Sequence, residues 1–263
     1  MLALIAGRGG LPARIAQSLP VRPLVCVLDG FAPDDLAADL TFRLEHLGTV
    51  LTDLTARGVT EVCFCGAIER PPFDPKAIDA ATLPIVPMLM GAMTSGDDAA
   101  LRAVVEVFED KGFVVRGAHD LAPDLVVAAG VLSVAQPDDQ MTSDMARGSE
   151  VLDALAPLDV GQGCVVGAGQ IWGIETLGGT DHMLRTLPAG AAGARALLVK
   201  GPKRSQDMRV DMPTIGPDTI AAVQSAGLAG LVIEAGGVIM LEPEATIPAA
   251  DAAGLVLWAH APG

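Results

Sequence analysis

Four basic residues, Lys200, Lys203, Arg204 and Arg209, fall within ten positions of one stretch, KGPKRSQDMR, in a chain of formal net charge -15 that has only four lysines. Asp207 and Asp211 are threaded among these cations, and Pro213 and Gly216 close the segment. The run LLVK reads as a strand that delivers Lys200 at its exit. Asp211 stands between Val210 and Met212 just before Pro213, an extended and half-buried setting. A buried carboxylate needs cations or a metal ion beside it. Phosphate chemistry uses that combination, because cations neutralise phosphate oxygens and a carboxylate holds a metal. The other reading of these residues is a structural ion pair, with Arg204 and Asp207 as solvated loop charges.

A second constellation is IETLGGTDHMLR. Glu175 lies on a strand, and Gly178, Gly179, Thr180 and Asp181 follow at the start of a helix. Backbone N–H groups, a hydroxyl and a carboxylate in one turn suit a phosphate with its Mg²⁺. Helix capping by Thr180 or Asp181 is the alternative, and His182 reads as a helix-surface residue. A third is AGRGGLP, after the first strand, where Gly7, Gly9 and Gly10 let the backbone approach a phosphate. Asp29 follows about twenty residues later, where a dinucleotide fold places its ribose acid. Pro12 occupies the place of that fingerprint's third glycine, so a plain strand-to-helix turn competes. A fourth, GAIERP, ends the third strand of the first half, and its Arg70 reads as a phosphate contact or a solvated arginine. In the fifth, TSGDDAALR, Ser95 or Asp97 caps a helix and Asp97 and Asp98 offset its positive end, or the group serves a sugar or nucleotide.

The elements that must position these groups alternate. LALIAG, RPLVCVLDG and EVCFCGAI read as strands, LPARIAQSL, LTDLTARGV and DDAALRAVVEVFEDKGF as helices, and VVRGAHDL as a return to the sheet. That rhythm implies a parallel sheet flanked by helices. The polar run SVAQPDDQMTSDMARG reads as a linker and helix start. Beyond it, GCVVGAG and QIWGIETL form two strands about a tight turn, TDHMLRTL a helix, ARALLVKG a strand and DTIAAVQSAG a helix. GLVIEAGGVIML reads as a strand pair about Gly236 and Gly237, and PAADAAGLVLWA as a final helix. The fold class expected is two α/β domains, an N-terminal Rossmann-like one with a parallel sheet over 1–135 and a second over 136–263.

Hydrophobic residues make up 51% of the chain, aromatics 3%, and Tyr is absent, which suits an Ala/Val/Leu/Ile core around parallel strands. An acidic balance argues against nucleic-acid binding, which needs a broad basic face. Cys26, Cys63, Cys65 and Cys164 read as buried inert thiols rather than a metal site or a disulfide framework, so a cytoplasmic location is expected. The start MLALIAGRGGLP lacks the features of a signal peptide, and no stretch reaches the roughly 18 to 20 apolar residues of a membrane span.

Taken in order, LALIAGRGGLP, GAIERP, SGDDAALR, PLDVGQGCVV, IETLGGTDHMLR, LLVKGPKRSQDMRVDMPTIGPDTI and GLVIEAGGVIMLE resemble the UDP-2,3-diacylglucosamine pyrophosphatases of lipid A biosynthesis, specifically the non-calcineurin type. The resemblance implies substrate held between two α/β domains. It implies Mg²⁺-dependent hydrolysis to UMP and 2,3-diacylglucosamine 1-phosphate (lipid X), with water attacking the β phosphorus. Asp211 is then the essential carboxylate, Lys200 a second catalytic group, and Asp211 with Asp181 the metal donors. Substrate contacts fall on Gly9, Gly10, Leu11, Gly66, Ala67, Ser95, Gly96, Asp97, Asp98, Gln162, Glu175, Thr180, Lys200 and Lys203. The chain departs from the family at Gly178, where Glu often stands, and that places any acidic role on Glu175 or Asp181.

The partners so implied are UDP-2,3-diacylglucosamine and lipid X, with peripheral contact to the inner membrane and homo-oligomerisation left open. Two other functions compete. A nucleotide-dependent oxidoreductase would use Gly7, Gly9, Gly10 and Asp29, and a non-catalytic lipid-binding protein would need no cation–carboxylate cluster.

Overall fold

The computed structural model describes residues 1–68, 73–93, 97–204 and 206–262. The chain divides into two compact units, one of Met1–Pro123 with Arg209–Asp211, the other of Asp124–Met208 with Met212–Gly263.

Unit 1 runs β1 (Leu2–Ala6), α1 (Leu11–Ser18), β2 (Leu24–Leu28), β3 (Leu40–Phe42), α2 (Leu47–Ala56), β4 (Glu61–Cys65), α3 (Val86–Met93), α4 (Asp97–Asp110), β5 (Val114–Val115) and α5 (Ala118–Leu121). Its five strands pair in the order β3-β2-β1-β4-β5, all parallel. This is the Rossmann-like sheet expected, and the uninterrupted apolar runs LALIA and LVCVL are buried because both faces of a parallel sheet are covered. Leu47, Leu51 and Leu54 from α2 and Phe108 from α4 close one face over Ala3, Ile5 and Cys26. Two details differ from the sequence reading. The short β3 carries no apolar run long enough to announce it, and the return to the sheet is only β5, after which Ala118–Leu121 turns helical.

Unit 2 runs β6 (Gly130–Val131), α6 (Asp139–Leu155), β7 (Gly163–Gly167), β8 (Gln170–Ile174), α7 (Gly179–Arg185), α8 (Gly190–Gly193), β9 (Leu197–Lys200), β10 (Thr214–Ile215), α9 (Pro217–Ser225), β11 (Gly230–Glu234), β12 (Ile239–Met240), α10 (Pro243–Ala252) and β13 (Val256–His260). Its main sheet has the order β6-β13-β11-β9-β7-β8, parallel across β13, β11 and β9 and antiparallel at both sides. Asp138 caps α6 by accepting from Met141 N at 2.8 Å, so the polar run before it does start a helix. The β7–β8 hairpin turns on Ala168 (φ 50°) and Gly169 (φ 75°), as a two-residue turn requires. Buried Asp144 accepts from both of their N–H groups, at 3.1 and 2.7 Å.

The end of the chain corrects the sequence reading twice. PAADAAGLVLWA is not one helix: α10 stops at Ala252, Gly254 takes φ 67°, and Val256–His260 becomes the strand between β6 and β11. A left-handed glycine closes the helix, and β-branched and aromatic side chains then pack on a pleated surface. GLVIEAGGVIML does give two strands, but β12 leaves the main sheet and pairs in parallel with β10 instead of with β11.

Candidate functional site

The strongest polar cluster of unit 2 lies at the exit of β9. In the antiparallel register Lys200 stands opposite Gly163, the first residue of β7. Lys200 Nζ donates to Thr180 Oγ1 at 2.6 Å, and Thr180 Oγ1 donates to Glu175 Oε2 at 2.7 Å. The ammonium and the carboxylate are 3.5 Å apart, with side chains only 9% and 13% exposed. The loop before β7 is shaped around Glu175: a Cβ at Gly163 would stand 2.7 Å from Glu175 Oε2, and one at Gly161 (φ 58°) would overlap the Glu175 carbonyl. Gly161 therefore has to be glycine, because the Glu175 backbone occupies the space a side chain would take, while a side chain at Gly163 would push the Glu175 carboxylate aside.

Thr180 is spent on this cluster instead of on capping. The position before α7 is Gly178, which makes no side-chain cap, so the capping alternative does not hold for Thr180 or Asp181. A Cβ at Gly178 would stand 2.7 Å from the His182 ring, so that ring fills the space a side chain there would take. His182 itself is exposed, as expected of a helix-surface residue.

Lys203 forms a second anchor. Its ammonium pairs with the Asp159 carboxylate, the two side chains being 11% and 31% exposed. Its backbone N–H donates to Gln206 Oε1 at 2.8 Å, and Gln162 Nε2 donates to the same oxygen at 3.3 Å. Gly201 N in turn donates to Gln162 O at 3.1 Å. The loop after β9 is thus tied to the loop before β7 by both backbone and side chains. Arg204 differs: it reaches Asp153 through two bonds of 2.8 and 3.3 Å on the surface, which holds its guanidinium pKa above the ordinary value. It reads as a solvated ion pair.

The remaining cations and acids of the segment separate. Arg209 pairs with Glu109 at 2.7 Å within unit 1, and Asp211, also in unit 1, is half-buried after the turn at Met208–Val210. Asp181 lies one position along α7 from Thr180 and lines a different feature, a cavity of about 650 Å³ formed with Leu184, Arg185, Leu187, Asp218 and Ala222. Among the described residues, no group of three His, Cys, Asp or Glu converges into a metal cage.

In unit 1 the glycine loops meet at the carboxyl ends of β1 and β4, the central neighbours of the sheet. Arg8 and Ala67 exchange backbone bonds of 2.9 and 3.0 Å, and a Cβ at Gly7 would stand 2.5 Å from Ala67 O. Gly66 (φ 87°) is equally constrained, its Cβ position lying 2.6 Å from Gly7 O. Gly9 (φ 90°) and Gly10, by contrast, have no atom within 4 Å of such a Cβ, so space is open beside them, and the half-buried Leu11 follows as the first residue of α1. The Arg8 guanidinium lies 4.9 Å from the Phe31 ring centroid and donates to Gly30 O at 2.9 Å, close to exposed Asp29. Asp97 and Asp98 open α4. Ser95, Gly96 and Arg70 lie outside the described residues.

Sequence reasoning missed Asp159 and Gln206. The first had a signal, an acid at the head of DVGQG, where close glycines mark a tight turn. The second had none, because a glutamine in a charged loop reads as solvated until its burial is seen. The thiols are as expected: all four cysteines are buried, and burial pushes Cys26 and Cys164 up to about 12.

Sequence models of the LpxI N-terminal domain and the LpxI C-terminal domain match residues 1–125 and 128–258. The UDP-2,3-diacylglucosamine pyrophosphatase LpxI of Caulobacter vibrioides is 38% identical over 268 aligned residues, covering 97% of this chain and 95% of that protein. With both domain matches in order along the same chain, this protein belongs to the LpxI family.

Proposed function

We propose that the chain hydrolyses the pyrophosphate of UDP-2,3-diacylglucosamine to UMP and 2,3-diacylglucosamine 1-phosphate (lipid X), a step of lipid A biosynthesis. The observation that carries this reading is the buried Lys200–Thr180–Glu175 cluster at the exit of β9, with the anchored Lys203 three residues on. An ammonium has three donors. Thr180 takes one from Lys200, and the others serve phosphate oxygens. Because the group is almost wholly desolvated, each such bond is stronger than it would be in water.

In this reading water attacks the β phosphorus, the bond to the bridging oxygen breaks, and the electron pair leaves with UMP. Lys200 and Lys203 spread the negative charge that develops on the two phosphates. Glu175 keeps Lys200 aimed, and Gln162 fixes the loop that carries Lys203. Gly9, Gly10, Leu11, Gly66 and Ala67 receive part of the head group, and Ser95–Asp98 are assigned to the substrate on the resemblance alone.

Asp211 is the catalytic carboxylate of this proposal and the first donor assigned to Mg²⁺, with Asp181 as the second. Mg²⁺ takes one or two carboxylates together with phosphate oxygens and water, a donor set that hard carboxylate oxygens fit without a protein cage. When bound, the ion supplies charge neutralisation and orientation at a phosphate. We assign the reaction to the cytoplasm, in keeping with the four buried free thiols.

Hydrolysis of UDP-2,3-diacylglucosamine in ¹⁸O water tests the proposal. Label is expected in the lipid X phosphate. Label in UMP overturns attack at the β phosphorus, and absence of Mg²⁺-dependent hydrolysis overturns the assigned function.

A further inference from the structure

Asp159 sits in left-handed backbone, φ 56° and ψ 40°, directly after the short turn Ala156–Leu158. That conformation is costly for a residue with a side chain, and aspartate and asparagine tolerate it better than most. A cap alone explains the backbone, since Asp159 N closes the turn onto Ala156 O at 3.2 Å. It does not explain the charge, which asparagine or glycine would spare. The carboxylate is aimed at Lys203, whose side chain is nearly buried and whose own backbone is fixed through Gln206. Lys203 is thereby held at both ends, and Glu175 does the same for Lys200 from the far side of the GQG turn.

We propose that Asp159 is a positioning residue: its carboxylate, set by left-handed backbone beside the Gly161–Gly163 turn, holds the Lys203 ammonium in place for a substrate phosphate. The proposal rests on the role given to Lys203 above. Asp159 touches no substrate and acts through the lysine. An ammonium held before substrate arrives loses little side-chain freedom on binding, so the effect falls on binding, in the ground and transition states alike.

Two variants keep the backbone. Asp159→Asn retains a neutral acceptor and the cap, and Asp159→Gly retains the left-handed conformation with no side chain. Two readouts apply to the full-length protein. Acetic anhydride at limiting dose, with mass spectrometry, reports the reactivity of Lys203 and needs no activity. Steady-state hydrolysis of UDP-2,3-diacylglucosamine reports KM and kcat separately. The expected result is several-fold faster acetylation of Lys203 in both variants, with KM raised about five- to tenfold, kcat nearly unchanged and the protein still fully folded at the assay temperature. Unchanged acetylation overturns the hold of Asp159 on Lys203. Faster acetylation with unchanged KM overturns its relevance to the reaction, and so does an activity loss that only tracks the fraction unfolded at the assay temperature. If the wild-type protein shows no hydrolysis at all, the proposed function falls, while the acetylation comparison still decides whether Asp159 holds Lys203.

Discussion

Glu175→Gln is the most informative single change in the β9 cluster. It keeps the shape of the side chain and an acceptor for Thr180, and it removes the negative charge 3.5 Å from Lys200 Nζ. Lys200, with 9% of its side chain exposed, is left as a buried cation. Removing one partner of a buried pair costs roughly 3–5 kcal/mol, and the surviving Thr180 bond puts this case near the lower end, at about 3 kcal/mol. For a unit of this size that lowers the melting temperature by roughly 10 °C. The chain's two tryptophans, Trp172 and Trp258, both lie in unit 2, so intrinsic fluorescence follows that unit alone. Lys200→Met in the Glu175→Gln background removes the stranded charge, and the double variant is expected to recover at least half of the lost stability. Its hydrolysis is expected to stay about 100-fold or more below wild type, because a donor to the reacting phosphates is gone. A double variant as unstable as the sum of the singles would refute the coupling, and near wild-type turnover would refute the role given to Lys200.

Asp211→Asn is expected to lower kcat by at least about 100-fold while substrate still binds, as isothermal titration with UDP-2,3-diacylglucosamine would register, and retained turnover would exclude it as the catalytic carboxylate. Gly163→Ala forces a methyl to within 2.7 Å of Glu175 Oε2, so its activity is expected to fall with that of the Lys200 variants while a Gly193→Ala control, with open space around it and no left-handed backbone, leaves turnover unchanged. Glu45, buried and bonded to Arg43, has its pKa lowered from 4.5 to about 2, so it contributes stability above about pH 4.5 that fades as pH falls toward 2; Glu45→Gln should flatten that part of the pH–stability curve. Burial raises the Cys26 and Cys164 pKa values, and a hydrogen bond with Cys63 together with burial raises that of Cys65, so a thiol reagent at pH 8 should stay slow toward them until the protein is unfolded.

The fold was legible where one local rule governs each element. Leu2–Ala6 and Leu24–Leu28 are short and wholly apolar, and Glu61–Cys65 is apolar after its first residue; such runs suit a sheet covered on both faces. The misread end of the chain shows the opposite case. ADAAGLVLWA has helical composition up to Ala252, and only the positive φ at Gly254 separates the helix from a strand whose place is set by its neighbours β6 and β11. The Lys200 side of the site was legible because a scarce charge stood at the end of an apolar strand. Its partners were legible in part: Glu175 and Thr180 stood together in IETLGGTD beside a double glycine, whereas Asp159 lies more than forty residues before Lys203. Pairing at that range is decided by the β7–β9 register, which no local pattern encodes.

The three residues Arg209–Asp211 pack with Met1–Pro123 although the chain on either side of them belongs to the other unit. Arg209 is tied to Glu109, and Val210 joins the cluster around Phe108. A cut between the two matched blocks, 1–125 and 128–258, therefore leaves the first block without its own arginine, its valine and Asp211. Neither half is a transferable cassette. Recombination that exchanged the first block alone would have to bring in a new seat for Val210 and a new acid for Arg209, so the two halves are expected to be inherited together as one gene.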